Sequence, residues 1–123
     1  MDIISLFMVE LKNSIYTGKK IFFVKNNKIV NGIIKLMYRM KIFIKYYKKK
    51  LFTVIMINKK INTKFLLSIK RISKRSKRIF INKKFIKKTK DKLIIISTDK
   101  GIINNYEAIK QKKGGEIIFM IDV

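Results

Sequence analysis

The stretch that decides the fold reads Ser97-Thr98-Asp99-Lys100-Gly101-Ile102 and is followed by Lys113-Gly114-Gly115-Glu116-Ile117-Ile118. An apolar segment, residues 93–98, leads into the first half, and another, residues 117–121, completes the second. Both are apolar enough to form central strands of a sheet. A short helix is expected between them, from about Asn104. The pattern therefore predicts a strand, a turn, a helix and a second strand in that order.

The first half of the chain, which precedes this stretch, alternates between helical and strand patterns. The apolar spacing, capping residues and turn residues predict five elements. They are a helix capped by Asp2 and ended by Tyr16-Thr17-Gly18, a strand over residues 21–24, a helix capped within Asn26-Asn27, and strands over residues 42–47 and 51–57. We predict an α-β-α-β-β lobe over residues 1–62.

A polar segment, residues 58–63, is the candidate hinge before a second, β-rich lobe over residues 63–123. Here residues 65–72 and 79–81 are predicted strands that flank a basic segment, residues 73–78. With the short helix near Asn104, this gives a mixed α/β (α+β) fold of two small lobes.

Charge indicates the kind of partner. The chain of 123 residues carries 31 Lys and Arg against 7 Asp and Glu, a formal charge of +24. Such an excess repels itself in an isolated compact fold, and a partner rich in phosphates relieves that repulsion. Because 48% of the residues are hydrophobic, we expect a folded body with a cationic surface and not a disordered tail.

Residue types argue against an enzyme. The sequence has no Cys and no His, which excludes thiolate nucleophiles, imidazole bases and the common zinc ligand sets. The seven acids are scattered, and no pair of them suggests an acid/base couple or a metal site. We therefore expect no reaction, no metal and no cofactor.

The sequence also bears on location. Uncharged stretches such as residues 51–58 are far shorter than the roughly 20 residues of a transmembrane helix. The N-terminal segment lacks a basic n-region and an amphipathic leader, so we expect neither secretion nor import. Codons for the dominant Lys, Ile, Asn and Phe are rich in A and T. This bias suggests an organelle genome, a mitochondrion in the first place and a plastid as the alternative.

The opening stretch resembles the signature of the small-subunit ribosomal protein S-eight family, which reads roughly Ser-Thr-Ser-x-Gly, a short helix, Gly-Gly-Glu-Ile and a final strand. A second resemblance covers Ser68-Ile69-Lys70-Arg71-Ile72-Ser73 and Lys77-Arg78-Ile79-Phe80, where the family has Ser-Ile-x-Arg-Val-Ser and Arg-Ile-Tyr. The chain departs from the family at Lys74-Arg75-Ser76, where Arg-Pro-Gly is usual, and at Asp99, where serine is common.

The resemblance implies a structural constituent of the small ribosomal subunit, of bacterial or organelle type, that supports assembly and translation. It further implies two α/β lobes that grip an rRNA helix in the central domain, with ribosomal proteins S-five and S-seventeen nearby, and no free homo-oligomer. The alternative is a cationic peripheral membrane protein, since basic residues interleaved with Ile and Phe also suit anionic lipid.

Candidate RNA contacts fall into two groups. Small hydroxyl and glycine residues suit the wide, shallow minor groove of duplex RNA. By pattern alone, an ordinary turn is favoured for Ser97, Thr98, Asp99, Lys100 and Gly101, and the resemblance favours RNA contact. Gly114 and Gly115 are expected to supply positive φ and close approach. Glu116 would accept from a base or from backbone N–H groups, or else would be an incidental strand residue.

The second group is a cation cluster that would neutralise phosphates, with a solvated basic face as the alternative. Its members are Lys70, Arg71, Lys74, Arg75, Lys77 and Arg78. Tyr46 and Tyr47 have rings that can stack on bases, although packing is the more frequent role of strand aromatics.

Overall fold

Two compact units, each with helices and antiparallel strands, make up the computed structural model, which describes residues 2–122. The first unit ends at Leu67 and the second begins at Ser68. The expected mixed α/β class is confirmed. The domain boundary predicted after residue 62 stays a prediction.

The first unit follows the predicted α-β-α-β-β order. Its elements are α1 (Ile3–Thr17), β1 (Ile21–Lys25), α2 (Lys28–Arg39), β2 (Phe43–Lys48) and β3 (Phe52–Ile57). The strands form an antiparallel sheet in the order β1-β3-β2. A 3₁₀ helix, Lys64–Ser68, then crosses the division between the units.

Local sequence explains where the helices of this unit begin and end. The Asp2 carboxylate accepts a hydrogen bond from Ser5 N at 2.8 Å, and the Asn27 side chain accepts from Ile29 N at 2.9 Å. Both satisfy N–H groups that have no partner inside the helix. Gly18 ends α1 with φ +75°, a left-handed conformation that favours glycine.

Alternation along the strands gives this sheet one buried face and one open face. Phe22 points to the helices, and its ring centroid lies 6.3 Å from that of Phe7 and 6.0 Å from that of Phe43. Its neighbour Phe23 is exposed on the opposite face. The core of the unit therefore lies between α1, α2 and one side of the sheet.

The second unit is built around its last strand. Its elements are β4 (Lys70–Arg71), β5 (Phe80–Ile81), α3 (Lys83–Ile86), β6 (Lys92–Thr98), β7 (Gly101–Asn104), α4 (Asn105–Gln111) and β8 (Gly115–Asp122). Strand β8 pairs with β6 along one side. Its other side pairs with β4 near its end and with β5 near its beginning. Strand β7 lies outside β6.

A small apolar cluster holds α3 and α4 to this sheet. Its buried members are Ile86, Ile94, Ile96, Ile103, Ala108 and Ile117. The central positions in the sheet predicted for residues 93–98 and 117–121 are confirmed. The predicted helix after Asn104 is also confirmed, and the Asn104 side chain caps it by accepting a hydrogen bond from Glu107 N at 2.8 Å.

The strand predicted over residues 65–72 is wrong for most of its length. The buried residues Thr63, Leu66 and Ile69 recur every third position, which suits a 3₁₀ turn and not a strand. Only Lys70–Arg71 remains a strand. Two elements were missed altogether, β7 and the one-turn helix α3. Within residues 2–122, no helix has both the length and the apolar character needed to cross a bilayer.

Candidate nucleic-acid interface

The hairpin of β6 and β7 carries the first group of predicted residues. Thr98 and Gly101 face each other across the two-residue turn of Asp99 and Lys100, and Gly101 has φ +116°. The Thr98 hydroxyl donates to Gly101 O at 2.9 Å and accepts from Lys100 N at 3.2 Å. Both bonds lie within the turn. The Thr98 hydroxyl therefore has the structural role that was the alternative to RNA contact.

Ser97 differs from its neighbour. It is half-buried, and among the residues that the structure describes its hydroxyl has no hydrogen-bond partner. A hydroxyl in this position keeps both its donor and its acceptor capacity for a ligand. Of the two hydroxyl residues, Ser97 is therefore the one available for recognition.

An ion pair ties the hairpin turn to the segment before β8. Lys113 Nζ lies 3.0 Å from Asp99 Oδ1. The hydrogen bond from Lys113, and its charge, lower the pKa of the Asp99 carboxyl below its usual range. Asp99 therefore stays ionised, and the ammonium group beside it offsets part of the repulsion that its carboxylate would exert on phosphates.

The two glycines before Glu116 allow close packing of backbones. A Cβ on Gly115 would collide with Ser97 O and lie 2.8 Å from Ile96 Cγ2. A Cβ on Gly114 would collide with Ile81 O. The expectation of positive φ is wrong for both, because each sits beside a neighbouring strand in an ordinary conformation. The close approach that they permit is to the protein's own strands β5 and β6.

Glu116 is bound to the predicted cation cluster. Arg78 donates from Nε to Glu116 Oε2 at 2.9 Å and from Nη2 to Oε1 at 2.8 Å. This two-pronged pair lowers the pKa of the Glu116 carboxyl and raises that of Arg78, with burial of Glu116 opposing the first effect. The Glu116 side chain is 18% exposed and that of Arg78 62%. The carboxylate therefore orients a guanidinium that faces solvent.

A row of side chains crosses the sheet at this point. Phe80, Glu116, Ser97 and Ile102 are successive partners on β5, β8, β6 and β7, and paired residues share one face of a sheet. Phe80 is 64% exposed, and Arg78 lies 5.7 Å from its ring centroid. Phe80 was not among the predicted site residues. Its place between Ile79 and Ile81 in a predicted strand, where it takes the face opposite to theirs, is the signal that could have identified it.

The basic segment forms a tight, protruding turn. Ser73 Oγ donates to Ile79 O at 3.0 Å and accepts from Ile79 N at 2.9 Å. Lys74 and Lys77 exchange two backbone hydrogen bonds of 2.8 and 3.1 Å. Although the turn lacks Pro and Gly, it is thus well defined. Its tip presents the exposed cations Lys74, Arg75 and Lys77.

The remaining predicted cations lie along the strand that leads into this turn. Arg71 is half-buried, and its Nε donates to Ser73 O at 2.7 Å, so it braces the turn. Lys70 pairs with Met120, four residues along β8 from Glu116. That is about 13 Å away at 3.3 Å per residue. The structure therefore brings Ser97, Glu116 and Arg78 together across the sheet, whereas Lys70 is peripheral.

This surface is suited to recognition of a ligand. It combines a half-buried carboxylate held by arginine, one available hydroxyl, an exposed aromatic ring and several exposed lysines. Within residues 2–122, no group of three or more His, Cys, Asp or Glu residues could hold a metal ion.

Comparison with known proteins gives a consistent family. The family model described as Ribosomal protein S8 matches residues 2–121. The small ribosomal subunit protein uS8 of a Nitratiruptor species is 33% identical, over 95% of this chain and 95% of the relative. The uS8 protein of Carsonella ruddii is 31% identical, over 93% and 92%. That of Helicobacter pylori is 30% identical, over 98% and 97%.

Proposed function

Since the chain belongs to the ribosomal protein S8 family of the small ribosomal subunit, we propose that it binds the central domain of small-subunit rRNA and supports subunit assembly and translation. The observation that carries this proposal is the row across β5, β8, β6 and β7. There the Ser97 hydroxyl, the Phe80 ring and the Arg78 guanidinium share one face.

Each part of this face has a separate task on RNA. Ser97 reaches a base edge in the minor groove, which is wide and shallow in duplex RNA. Phe80 stacks on a base or a ribose at the edge of the helix. The turn bearing Lys74, Arg75 and Lys77 neutralises phosphates, which positions the protein without reading sequence.

Glu116 acts here as a positioning residue. Its two hydrogen bonds hold the Arg78 guanidinium in one plane beside Phe80. A preordered guanidinium loses less freedom when it meets a phosphate or a base. This role differs from direct acceptance of a hydrogen bond from RNA, which was one of the alternatives for Glu116.

Competition binding tests this assignment. Ser97→Ala and Lys74→Ala are titrated against a central-domain rRNA transcript and against a scrambled duplex of equal length. We expect Ser97→Ala to weaken the transcript about fivefold to tenfold and to leave the scrambled duplex unchanged, since about 1 kcal/mol is typical of one hydrogen bond. Lys74→Ala should weaken both RNAs alike. Equal losses on both RNAs for Ser97→Ala would contradict the recognition role.

We also infer the setting of this ribosome. Proteins S-five and S-seventeen are the proposed neighbours, and the bias toward residues with A- and T-rich codons supports an organelle, mitochondrial in the first place and plastid otherwise. Sucrose-gradient fractionation of the source cells, with crosslinking in the small-subunit peak, tests these points. Recovery of the chain with membranes and not with small subunits would overturn the ribosomal assignment in favour of anionic lipid.

A further inference from the structure

The open face of the first sheet carries exposed aromatic rings. It is formed by the residues that alternate with the buried ones, namely Ile21, Phe23 and Lys25 on β1, Phe52, Val54 and Met56 on β3, and Lys45 and Tyr47 on β2. Phe23 is 61% exposed, Phe52 49% and Tyr47 44%. Exposed aromatic groups on one face mark interaction surfaces more often than isolated exposed residues do.

The strand register places these three rings close together. Phe23 pairs with Val54, and Val54 pairs with Tyr47, so one row spans all three strands. Phe52 lies two residues from Val54 on the central strand. With strands about 4.8 Å apart and about 3.3 Å per residue, the ring-bearing Cα atoms are about 8 to 10 Å from one another. The side chain of Val54 between them leaves the rings separate and accessible.

Lysines flank the rings on this face. Lys25 pairs with Phe52 across the sheet, and Lys45 Nζ lies 5.4 Å from the ring centroid of Tyr47. The chain has no Asp or Glu between Glu10 and Asp91, so no carboxylate occurs in any strand of this sheet. All the charged residues on this face are therefore cationic.

This composition favours a nucleic acid over a protein as the occupant. The buried centre of a protein interface is depleted in lysine and needs acidic partners for the lysines that it contains. Single-stranded nucleic acid supplies flat base surfaces for the rings and phosphates for the ammonium groups. Charge complementarity with a chain of net charge +24 points the same way.

We propose that this face binds an unpaired RNA segment, with bases stacked on Phe23, Phe52 and Tyr47 and phosphates held by Lys25 and Lys45. The surface is distinct from the row around Glu116 and Ser97, and it takes a different form of RNA. The first unit would thus hold a single-stranded stretch while the second unit holds a duplex. This inference goes beyond the proposed function and can fail without affecting it.

The test uses the full chain and a short single-stranded oligouridylate in which one base is replaced by 2-aminopurine. Stacking quenches the fluorescence of that base. We expect the wild-type protein to quench it and Phe23→Leu to weaken binding about fivefold or more, the lower end of the effect of losing one stacked base. Lys25→Gln combined with Lys45→Gln should reduce the salt dependence, by about 0.7 in the log–log slope for each phosphate that is no longer neutralised.

Phe85 provides a matched control. It is 56% exposed and has Lys88 Nζ 5.6 Å from its ring centroid, but it lies on the short helix α3 and not on the sheet. Phe85→Leu should leave oligouridylate binding unchanged. Equal losses for Phe23→Leu and Phe85→Leu would show general attraction to exposed rings and would overturn the proposal.

A parallel titration with the structured central-domain transcript separates the two sites. Phe23→Leu should bind that transcript as the wild type does, whereas Ser97→Ala should not. If Phe23→Leu binds oligouridylate normally but fails to join other small-subunit proteins on the rRNA, the occupant is a protein and the proposal is wrong. Because Phe23 is exposed, circular dichroism is expected to report the same fold for both proteins.

Discussion

At the scale of single residues, Glu116 connects charge to both stability and recognition. Its carboxylate receives both hydrogen bonds of Arg78, and the Ser73 hydroxyl and the charge of Arg71 also help to lower its pKa. A carboxyl whose pKa is lower in the folded than in the unfolded state stabilises the fold at pH values above its ordinary pKa, which is 4.5 for glutamate. That stabilisation is lost as the pH falls through the lowered value.

The pH dependence of unfolding therefore tests this pair. We expect the wild-type protein to lose stability steadily as the pH falls below about 4.5, the ordinary glutamate value. Glu116→Gln should be less stable than the wild type near neutral pH, and the difference should shrink in acid. Urea titrations at several pH values measure it, with Glu10→Gln as the control because Glu10 lies on the exposed side of α1. A constant difference across the pH range would exclude the ion pair as its source.

At the scale of elements, Asn105 joins α4 to the loop that leads into β6. Its side chain is fully buried. It accepts from Ile94 N at 3.0 Å and donates to Thr89 O and Lys92 O, both at 2.8 Å. One amide thus serves three backbone groups that come from residues far from it in sequence. The position of α4 over the sheet depends on this side chain as well as on the apolar cluster.

Replacing that amide should be costly. Asn105→Ala removes the partners of one buried N–H and two C=O groups, and we expect a loss of about 3 kcal/mol in the free energy of unfolding. Asn82→Ala is the matched control, because Asn82 caps α3 at an exposed position. Loss of a cap typically costs about 1 kcal/mol. Urea denaturation measures both, and equal effects would contradict the assigned role of Asn105.

Elements also differ in how far the sequence predicts them. Helices α1 and α2 are predicted because their caps, Asp2 and Asn27, come just before apolar residues at helical spacing, whereas the helix near Asn104 fills a slot in the family pattern. The 3₁₀ helix was mistaken for a strand because Leu66 and Ile69 occur in a short apolar run that fits either structure. Strand β7 has only four residues and is held by pairing with β6, a contact that local sequence does not report.

The candidate site could be predicted only in part, because only its parts that are continuous in sequence can be recognised there. The hairpin turn, the glycine pair and the basic segment are continuous in sequence, and the resemblance to a family drew attention to each of them. The pairing of Arg78 with Glu116 spans 38 residues, and the row from Phe80 to Ile102 depends on strand order. Both arise from the register of β8 between β5 and β6, so only the folded chain displays them.

At the scale of the whole molecule, the dominant quantity is the net charge of +24. Ion pairs such as Arg78 with Glu116, Lys92 with Asp122 and Lys113 with Asp99 offset part of it. Because the chain has only 7 acids for its 31 cations, the acids are too few to pair with most of the cations. Mutual repulsion between these cations opposes the compact state, and it is relieved either by dissolved salt or by a polyanion.

Salt should therefore act in opposite directions on folding and on binding. Raising sodium chloride from about 0.05 M to about 0.3 M shortens the screening length from roughly 14 Å to roughly 6 Å, which weakens repulsion between cations on the free protein. We expect the midpoint of thermal unfolding to rise over this range. Affinity for the rRNA transcript should fall, because bound RNA releases condensed counterions and each phosphate contact steepens the dependence. Differential scanning fluorimetry and filter binding in the same buffers measure the two trends.

A midpoint of thermal unfolding that falls with salt would mean that the ion pairs outweigh the repulsion between cations. An affinity for RNA that does not change with salt would mean that phosphates are not the principal contacts. Opposite slopes, in contrast, would show that the charge which destabilises the free protein is the charge that holds it on RNA.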